Sequence, residues 1–381
     1  MDRKHYETEH LAFGEAFRAF ADKAIVPHFL EWEKAGISPR EIFLEAGRSG
    51  FLGVAVPEEY GGGGVSDFRF NQILGEQVAA AGVTGTGLGM TLHNDICLPY
   101  FLSICTPEQK QRWLPGIASG ELITAVAMTE PGAGSDLSGI RTSARRDGGD
   151  YVVNGSKTFI TNGINSDLVI TAVRTGEDRH RGISLLIVER GMPGFERGRN
   201  LDKLGLHSQD TAELSFTDVR VPAANRLGDE GAGFTYLTDK LPQERVSIAV
   251  NGVGEARAAF DETVRYVQDR KAFGTNIAAF QNTKFVLADL ITEIDVAQAF
   301  LDRCVDRLNA GELSAADAAK AKYYCTELQG RVIDRCLQLH GGYGYMTEYP
   351  IARRYADARV TRIYGGTSEI MKSVISKSIG L

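Results

Sequence analysis

The sequence predicts an α+β chain in three blocks. Helices fill residues 1–120, short strands fill 121–229 and suggest an antiparallel barrel or sandwich, and helices return over 230–381. Three observations carry this expectation. Apolar residues recur at helical spacing at both ends of the chain. β-prone runs separated by turn signals occupy the middle. Nowhere do strands and helices alternate as they do in a βαβ sheet. At 381 residues the chain has room for two or three domains.

In the first block, Leu11, Phe13, Phe17, Phe20 and Ile25 share a helical face, with Pro27 closing the segment. Ile42, Leu44, Ala46 and Phe51 suggest a second helix. Gly61-Gly62-Gly63-Gly64 interrupts the chain, and Asp67 is placed to cap a helix from Phe68 to Ala81. Thr106-Pro107-Glu108-Gln109 reads as an N-cap followed by proline at the first helical position. In the middle block the strand candidates are Leu122–Met128, Tyr151–Val153, Lys157–Ile160, Leu168–Val173, Ile183–Val188 and Ala212–Phe216. Asn154-Gly155, Asn162-Gly163 and Met192-Pro193-Gly194 are the expected turns between them. In the third block Phe260, Val264 and Val267 mark a long amphipathic helix, and Phe285–Leu308 and Ala315–Leu339 mark two more.

Composition narrows the function. Hydrophobic residues are 43% and charged residues 24%, so general disorder is excluded. The net charge of −7 gives no overall pull toward nucleic acid, while leaving room for local basic pockets. The cysteines, Cys97, Cys105, Cys304, Cys325 and Cys336, are odd in number and form no CxxC pair, which argues against a zinc site or disulfide framework and for a reducing, cytoplasmic location. The start, Met1 to Glu7, is too charged for a secretory signal, and the longest uncharged run, Gln77–His93, is too rich in glycine and threonine to span a membrane. There is no GxGxxG, GK[ST], HExxH or GxSxG. A nucleotide-dependent enzyme would therefore build its site another way.

Four clusters remain. Met128-Thr129-Glu130-Pro131-Gly132-Ala133-Gly134-Ser135-Asp136 combines open backbone with hydroxyl donors; its plainer reading is a polar loop. Gln338-Leu339-His340-Gly341-Gly342 follows a helical pattern and reads alone as a glycine cap. Gly365-Gly366-Thr367-Ser368-Glu369 reads alone as the start of a last helix. Leu241-Pro242-Gln243-Glu244-Arg245 likewise reads as a helix start, with proline in its first turn.

Together, in this order and at these separations, the clusters resemble the acyl-CoA dehydrogenase family of flavoenzymes. The resemblance covers essentially the whole chain and is strongest over Ala127–Ser138, Gly155–Gly163, Leu201–Phe216, Arg270–Gln281 and Gln338–Thr367. Leu241–Arg245, Tyr349–Ala352 and Ile363–Lys372 look most like the long-chain branch. The resemblance implies an N-terminal helical domain, a central β-barrel-like domain and a C-terminal four-helix bundle, with FAD between the last two. It also implies a homotetramer built as a pair of dimers.

Residue by residue, the resemblance implies that Val126, Ala127, Met128, Thr129, Gly134 and Ser135 line the flavin with Phe159, Ile160 and Thr161. Many relatives have tryptophan where this chain has Phe159. Arg270, Gln281 and the turn Gln338, Leu339, His340, Gly341, Gly342 would reach the FAD of a neighbouring subunit, and Thr367, Ser368 and Glu369 would complete the site. Ser135, His180 and Arg181 would contact the CoA moiety, and Pro242, Gln243, Glu244, Arg245, Gly365 and Gly366 the acyl thioester. No metal is implied.

The chemistry needs a base for the α-proton and an acceptor for the β-hydride. Most relatives carry the base where this chain has Gly365, which has no side chain. One branch carries its glutamate on the preceding helix, at the position of Glu244. The pair Glu244 and Gly365 therefore implies that Glu244 is the base, with the Gly365 N–H left to hold the thioester oxygen. The expected partners are an acyl-CoA substrate and an electron-transfer flavoprotein, in oxidation of fatty acyl groups. An acyl-CoA oxidase or a flavin monooxygenase on the same fold is the alternative enzyme reading, and a non-catalytic subunit of a hetero-oligomeric relative is a third, against which Glu244 argues. Acyl length and branching stay open.

Overall fold

A computed structural model of the chain describes residues 3–381; Met1 and Asp2, the first residues of the charged N-terminal run, lie outside the described residues. Seven helices come first: α1 (Thr8–Ala24), α2 (Phe29–Ala35), α3 (Glu41–Arg48), α4 (Arg69–Ala81), α5 (Thr84–Thr91), α6 (Leu98–Ile104) and α7 (Pro107–Ser119). Phe17, Ala21 and Ile25 bury one face of α1 against Ile42, Phe43, Ala46, Leu74 and Val78, as the periodicity predicts. Leu11 stays half exposed. Asp67 accepts from the Arg69 N–H at the start of α4, and Thr106 caps α7 in a reciprocal pair with Gln109. Between α5 and α6 the chain widens into a π-helical turn, Leu92–Cys97, a rarity that tends to mark functional sites.

The strands are β1 (Thr124–Ala127), β2 (Ser143–Asp147), β3 (Asp150–Thr161), β4 (Leu168–Arg174), β5 (Ile183–Glu189), β6 (Phe195–Asn200), β7 (Thr211–Pro222) and β8 (Arg226–Leu227). They form one sheet in the order β6-β7-β3-β2-β4-β5-β8, with β1 alongside β4. Two expectations are corrected here. The sheet is not an antiparallel barrel: β6 and β8 are edge strands at opposite ends that do not pair with each other, and β1 and β2 each run parallel to β4. A crossover need not be a helix; the β2–β3 hairpin lies between β1 and β4 in sequence and supplies it. Asn154-Gly155 is not a turn either. β3 continues through it with a bulge, and Gly155 adopts φ 145°, where a Cβ would strike Thr142.

β4 and β5 read as unbroken apolar runs because both faces are covered. Leu168, Ile170, Leu185 and Ile187 pack with residues of α6, α7 and Leu237, while Val169, Val173, Leu186 and Val188 face the core of the sheet's other side.

The last block is α8 (Gly233–Asp269), the short hairpin of β9 (Lys271–Ala272) and β10 (Thr275–Asn276), α9 (Gln281–Asn309), α10 (Ala315–His340), α11 (Pro350–Ala358) and α12 (Ser368–Ser378). One core joins α8, α9, α10 and α11 through Val253, Leu290, Ile294, Leu328, Val332 and Ile351. Leu241–Arg245 does not start a helix. Pro242 sits inside α8, nine residues past its first residue Gly233. Its missing N–H leaves the Thr238 carbonyl without its helical donor. Every residue from Glu244 to Val250 is buried, and packing all round α8 outweighs that local cost. All five cysteines are free and buried. Among the described residues no helix is long and apolar enough to cross a membrane.

Candidate active site

The π-turn is the keystone of the site. His93 accepts from the Thr124 N–H at Nδ1, so its Nε2 carries the proton donated to the Ile117 carbonyl. Full burial holds its pKa down to about 4 and keeps it neutral. This pins the turn to the start of β1. On its other side, Gln243 donates to the Asp95 carbonyl and Ser247 donates to the Asp95 carboxylate at 2.5 Å, which pins the turn to α8. Burial pushes the Asp95 carboxyl up to about 6.

Glu244 lies in that contact, 3% exposed. Burial raises its pKa to about 7, against the opposing effect of a hydrogen bond that Tyr100 on α6 donates to Oε1 at 3.0 Å. Next to it, Arg245 is also buried, and its Nε has no hydrogen-bond partner among the described residues. One turn along α8, Ile248 touches the place where a Cβ on Gly365 would sit. The Gly365–Gly366 turn thus packs against the face of α8 that carries Ile248, one turn from Glu244. Both glycines have positive φ, 64° and 94°. Lys322 on α10 donates to the Gly366 carbonyl at 2.5 Å, and burial lowers its pKa to about 8.

The segment after β1 and the end of β3 meet at a second edge. The Thr158 N–H donates to the Thr129 carbonyl at 2.9 Å. Lys157, fully buried, donates to the Met128 carbonyl and to Glu130, whose carboxylate in turn accepts from the Arg141 and Thr142 N–H groups. This buried pair stiffens the loop from Val126 through Gly134 and Ser135. Phe159 stands out from it at φ 60°, 68% exposed. The Ala127 and Ile160 side chains are in the core, so only their backbone can face a ligand. The Thr129, Ser135 and Thr161 hydroxyls have no hydrogen-bond partner among the described residues.

A third patch gathers Arg270, Gln281 and Gln338–Gly342. Arg270 caps α8 and lies over the Tyr343 ring, Gln281 opens α9, and Gln338, Gly341 and Gly342 are exposed. Leu339 is half-buried. The His340 ring is turned inward; it stacks on Tyr266, and Nδ1 meets the Cys336 carbonyl at 3.0 Å. Among the described residues no hydrogen bond joins this patch to the Thr129–Phe159 edge. At the start of α12, Thr367 caps the Ile370 N–H, Ser368 donates to Glu327, and Glu369 is exposed. His180 packs on Phe234 near the start of α8, and the Asp178 carboxylate accepts from the N–H groups of His180 and Arg181. A cavity of about 1400 Å³ lies elsewhere, between α1, α4, α8, α9 and α11, and is lined by charged residues such as Arg18, Glu76, Arg257 and Arg353.

Sequence reasoning missed Tyr100, Asp95, Lys157 and Lys322. A lone lysine on the otherwise buried face of α10 was the one readable signal; the other three gain meaning only from partners distant in sequence.

The open hydroxyls, bare glycine backbone and exposed aromatic ring of one edge, with the cation and glycine turn of another, suit a flavin dinucleotide. The orphan Arg245 N–H and the glycine turn against Ile248 suit a ligand entering between them.

Comparisons with known proteins agree. Family models described as acyl-CoA dehydrogenase N-terminal, middle and C-terminal domains match residues 7–121, 125–219 and 231–380. The mitochondrial long-chain specific acyl-CoA dehydrogenase of Sus scrofa is 48% identical over 99% of this chain and 88% of its own length. The crystal structure of an acyl-CoA dehydrogenase from Geobacillus kaustophilus superposes with a TM-score of 0.97 at 49% identity, covering 99% of this chain and all of its own. A glutaryl-CoA dehydrogenase from Mycobacterium smegmatis, solved in complex with FADH2, superposes with a TM-score of 0.92 at 27% identity over 99% of this chain and 96% of its own. Fold, site and full-length similarity together establish that the chain belongs to the acyl-CoA dehydrogenase family of oxidoreductases.

Proposed function

We propose that the chain is an FAD-dependent dehydrogenase that converts an acyl-CoA to its trans-2-enoyl-CoA. The observation that carries this is a buried glutamate, Glu244, with its pKa raised to about 7, one turn along α8 from Ile248, which abuts the Gly365 turn where most relatives keep their base. The Glu244 carboxylate takes the α-proton, the electron pair left on the α-carbon closes the double bond, and the β-hydrogen leaves with its own pair. A bound flavin supplies the acceptor for that hydride. The Gly365 N–H is assigned to the thioester oxygen, where negative charge develops, and Lys322 holds the turn that presents it.

The CoA end of the substrate is assigned to Ser135, His180 and Arg181. His180 packs on Phe234, ten residues before Glu244, so the entrance and the base are separated by about 15 Å of helix, a depth for an extended pantetheine arm to cross. FAD is assigned to Val126–Ser135, Phe159–Thr161 and Thr367–Glu369, completed by Arg270, Gln281 and Gln338–Gly342 of a neighbouring copy in a homotetramer. We further assign electron-transfer flavoprotein as acceptor, a medium- or long-chain acyl group as substrate, domain limits at 120/121 and 229/230, and, on the five free cysteines, a cytoplasmic location.

The test is anaerobic mixing of the FAD-loaded protein with acyl-CoAs of graded length. Bleaching of the oxidised flavin, with reoxidation by electron-transfer flavoprotein and not by oxygen, is the expected result. No bleaching with any acyl-CoA sinks the reading, and fast reoxidation by oxygen favours the oxidase. Arg270→Glu places like charge near the assigned pyrophosphate, so gel-filtered protein should lose FAD relative to wild type. A monomer holding FAD fully would contradict the assigned exchange between copies.

A further inference from the structure

Among the described residues, the Glu244 carboxylate accepts a single hydrogen bond, from the Tyr100 phenol. Tyr100 is fully buried on α6, one turn beyond the π-turn that also holds Gln243 and Ser247 of α8. The bond goes to Oε1, and Oε2 has no donor among the described residues. We propose that Tyr100 is the positioning residue of the base: its phenol fixes the Glu244 carboxylate, directs Oε2 toward the α-carbon, and preserves the ionised form in a site that burial would otherwise neutralise. The inference rests on Glu244 being the base.

A carboxylate accepts a hydrogen bond more strongly than a neutral carboxyl group does, so the phenol favours ionisation while desolvation opposes it. The other groups around Glu244 do not substitute for Tyr100. Arg245, on the same helix, favours the ionised form through space but makes no bond to it. Cys97, from the π-turn, is buried with its thiol pushed far up by desolvation, and so is neutral. Asp95, also from the π-turn, is engaged by Ser247 and Asn71. Lys322, from α10, is committed to the Gly366 carbonyl. Tyr100 itself stays protonated, because burial and the adjacent carboxylate both raise its pKa.

The test is Tyr100→Phe, which keeps the ring and removes one oxygen. Two measurements are made on the FAD-loaded enzyme across pH 5.5–9.5. One is kred/Kd for anaerobic bleaching by acyl-CoA, which reports ionisation in the free enzyme. The other is the infrared carbonyl band of protonated Glu244, assigned by its loss in Glu244→Gln, which needs no turnover. A charge-assisted bond in a buried site corresponds to roughly one to two pKa units. Both midpoints should therefore move alkaline by that amount from about 7. Below the wild-type midpoint kred/Kd should fall roughly 10- to 100-fold, and it should recover toward wild type at the alkaline end. An equal loss at every pH, with an unmoved infrared midpoint, would overturn the proposal and leave Tyr100 a packing residue. An acid shift would overturn it as well. If Glu244→Gln reduces flavin at the wild-type rate, the base assignment itself falls. If Glu244→Gln is inactive while the Tyr100→Phe midpoints stay put, only the role of Tyr100 falls.

Discussion

Glu244→Gln should leave FAD and acyl-CoA bound and slow anaerobic flavin reduction by at least roughly 10²-fold, the lower range of a general-base contribution. The amide keeps the shape and can still accept from Tyr100, but it cannot take a proton. Wild-type rates in this variant would return Glu244 to a structural role. The same assignment fixes a pH dependence. The working form is the carboxylate, and burial raises its pKa to about 7. The reductive rate should accordingly climb with pH through about 7 and lose tenfold for each unit below it. Gly365→Glu in the Glu244→Gln background tests the other half of the pattern. The position has φ 64°, and a Cβ there would run into Ile248. The added carboxylate starts from a strained backbone and displaces a core side chain, so rescue should be partial at most. Replacing Ile248 with alanine in the same background should improve it by opening the space that the Cβ needs.

Arg354→Met should cost about 3–5 kcal/mol, the penalty for stranding one partner of a buried ion pair. Arg354, on α11, meets Glu255 of α8 at 2.5 Å, and both are nearly inaccessible. It also donates to the Ala79 carbonyl at the end of α4, while Thr84 donates to the same Glu255. One guanidinium thus joins the N-terminal helices to two helices of the bundle. Removing it leaves the Glu255 carboxylate with a hydroxyl alone. The check is the urea or thermal midpoint of FAD-saturated protein, with FAD content measured in parallel. Glu255→Leu added to Arg354→Met removes the stranded charge, and the double variant should regain much of the loss. If the single variant melts with wild type, water reaches Glu255 and the pair is not buried in solution.

The three-block order was legible because each block has its own period. Phe17, Ala21 and Ile25 repeat as a helix must, and Leu168–Val173 and Ile183–Val188 are β-rich and bounded by turn residues. Asn154-Gly155 misled because the same dipeptide serves a hairpin turn or a bulge; only the pairing of β3 with β7 selects the bulge. Closure of the sheet was equally out of reach, since whether β6 and β8 meet depends on the summed twist and register of every strand between them. Pro242 misled for an energetic reason. Locally it starts a helix, yet α8 is buried all round beyond it and carries through.

The candidate site divides along the same line. The motifs at Met128–Asp136, Gln338–Gly342 and Gly365–Glu369, and the loss of a side chain at Gly365, were determined by the sequence alone, because each is contiguous and its chemistry is set by residue type. Glu244 was found through its pairing with Gly365, at a separation of over a hundred residues. What only the tertiary structure decided is the state of that carboxylate. Its burial and the single bond from Tyr100 come from segments distant in sequence, and the neighbouring cation Arg245 acts on it only once α8 is buried. A pKa depends on distance and on exclusion of water. Neither is fixed until the π-turn, α6 and α8 have packed against one another.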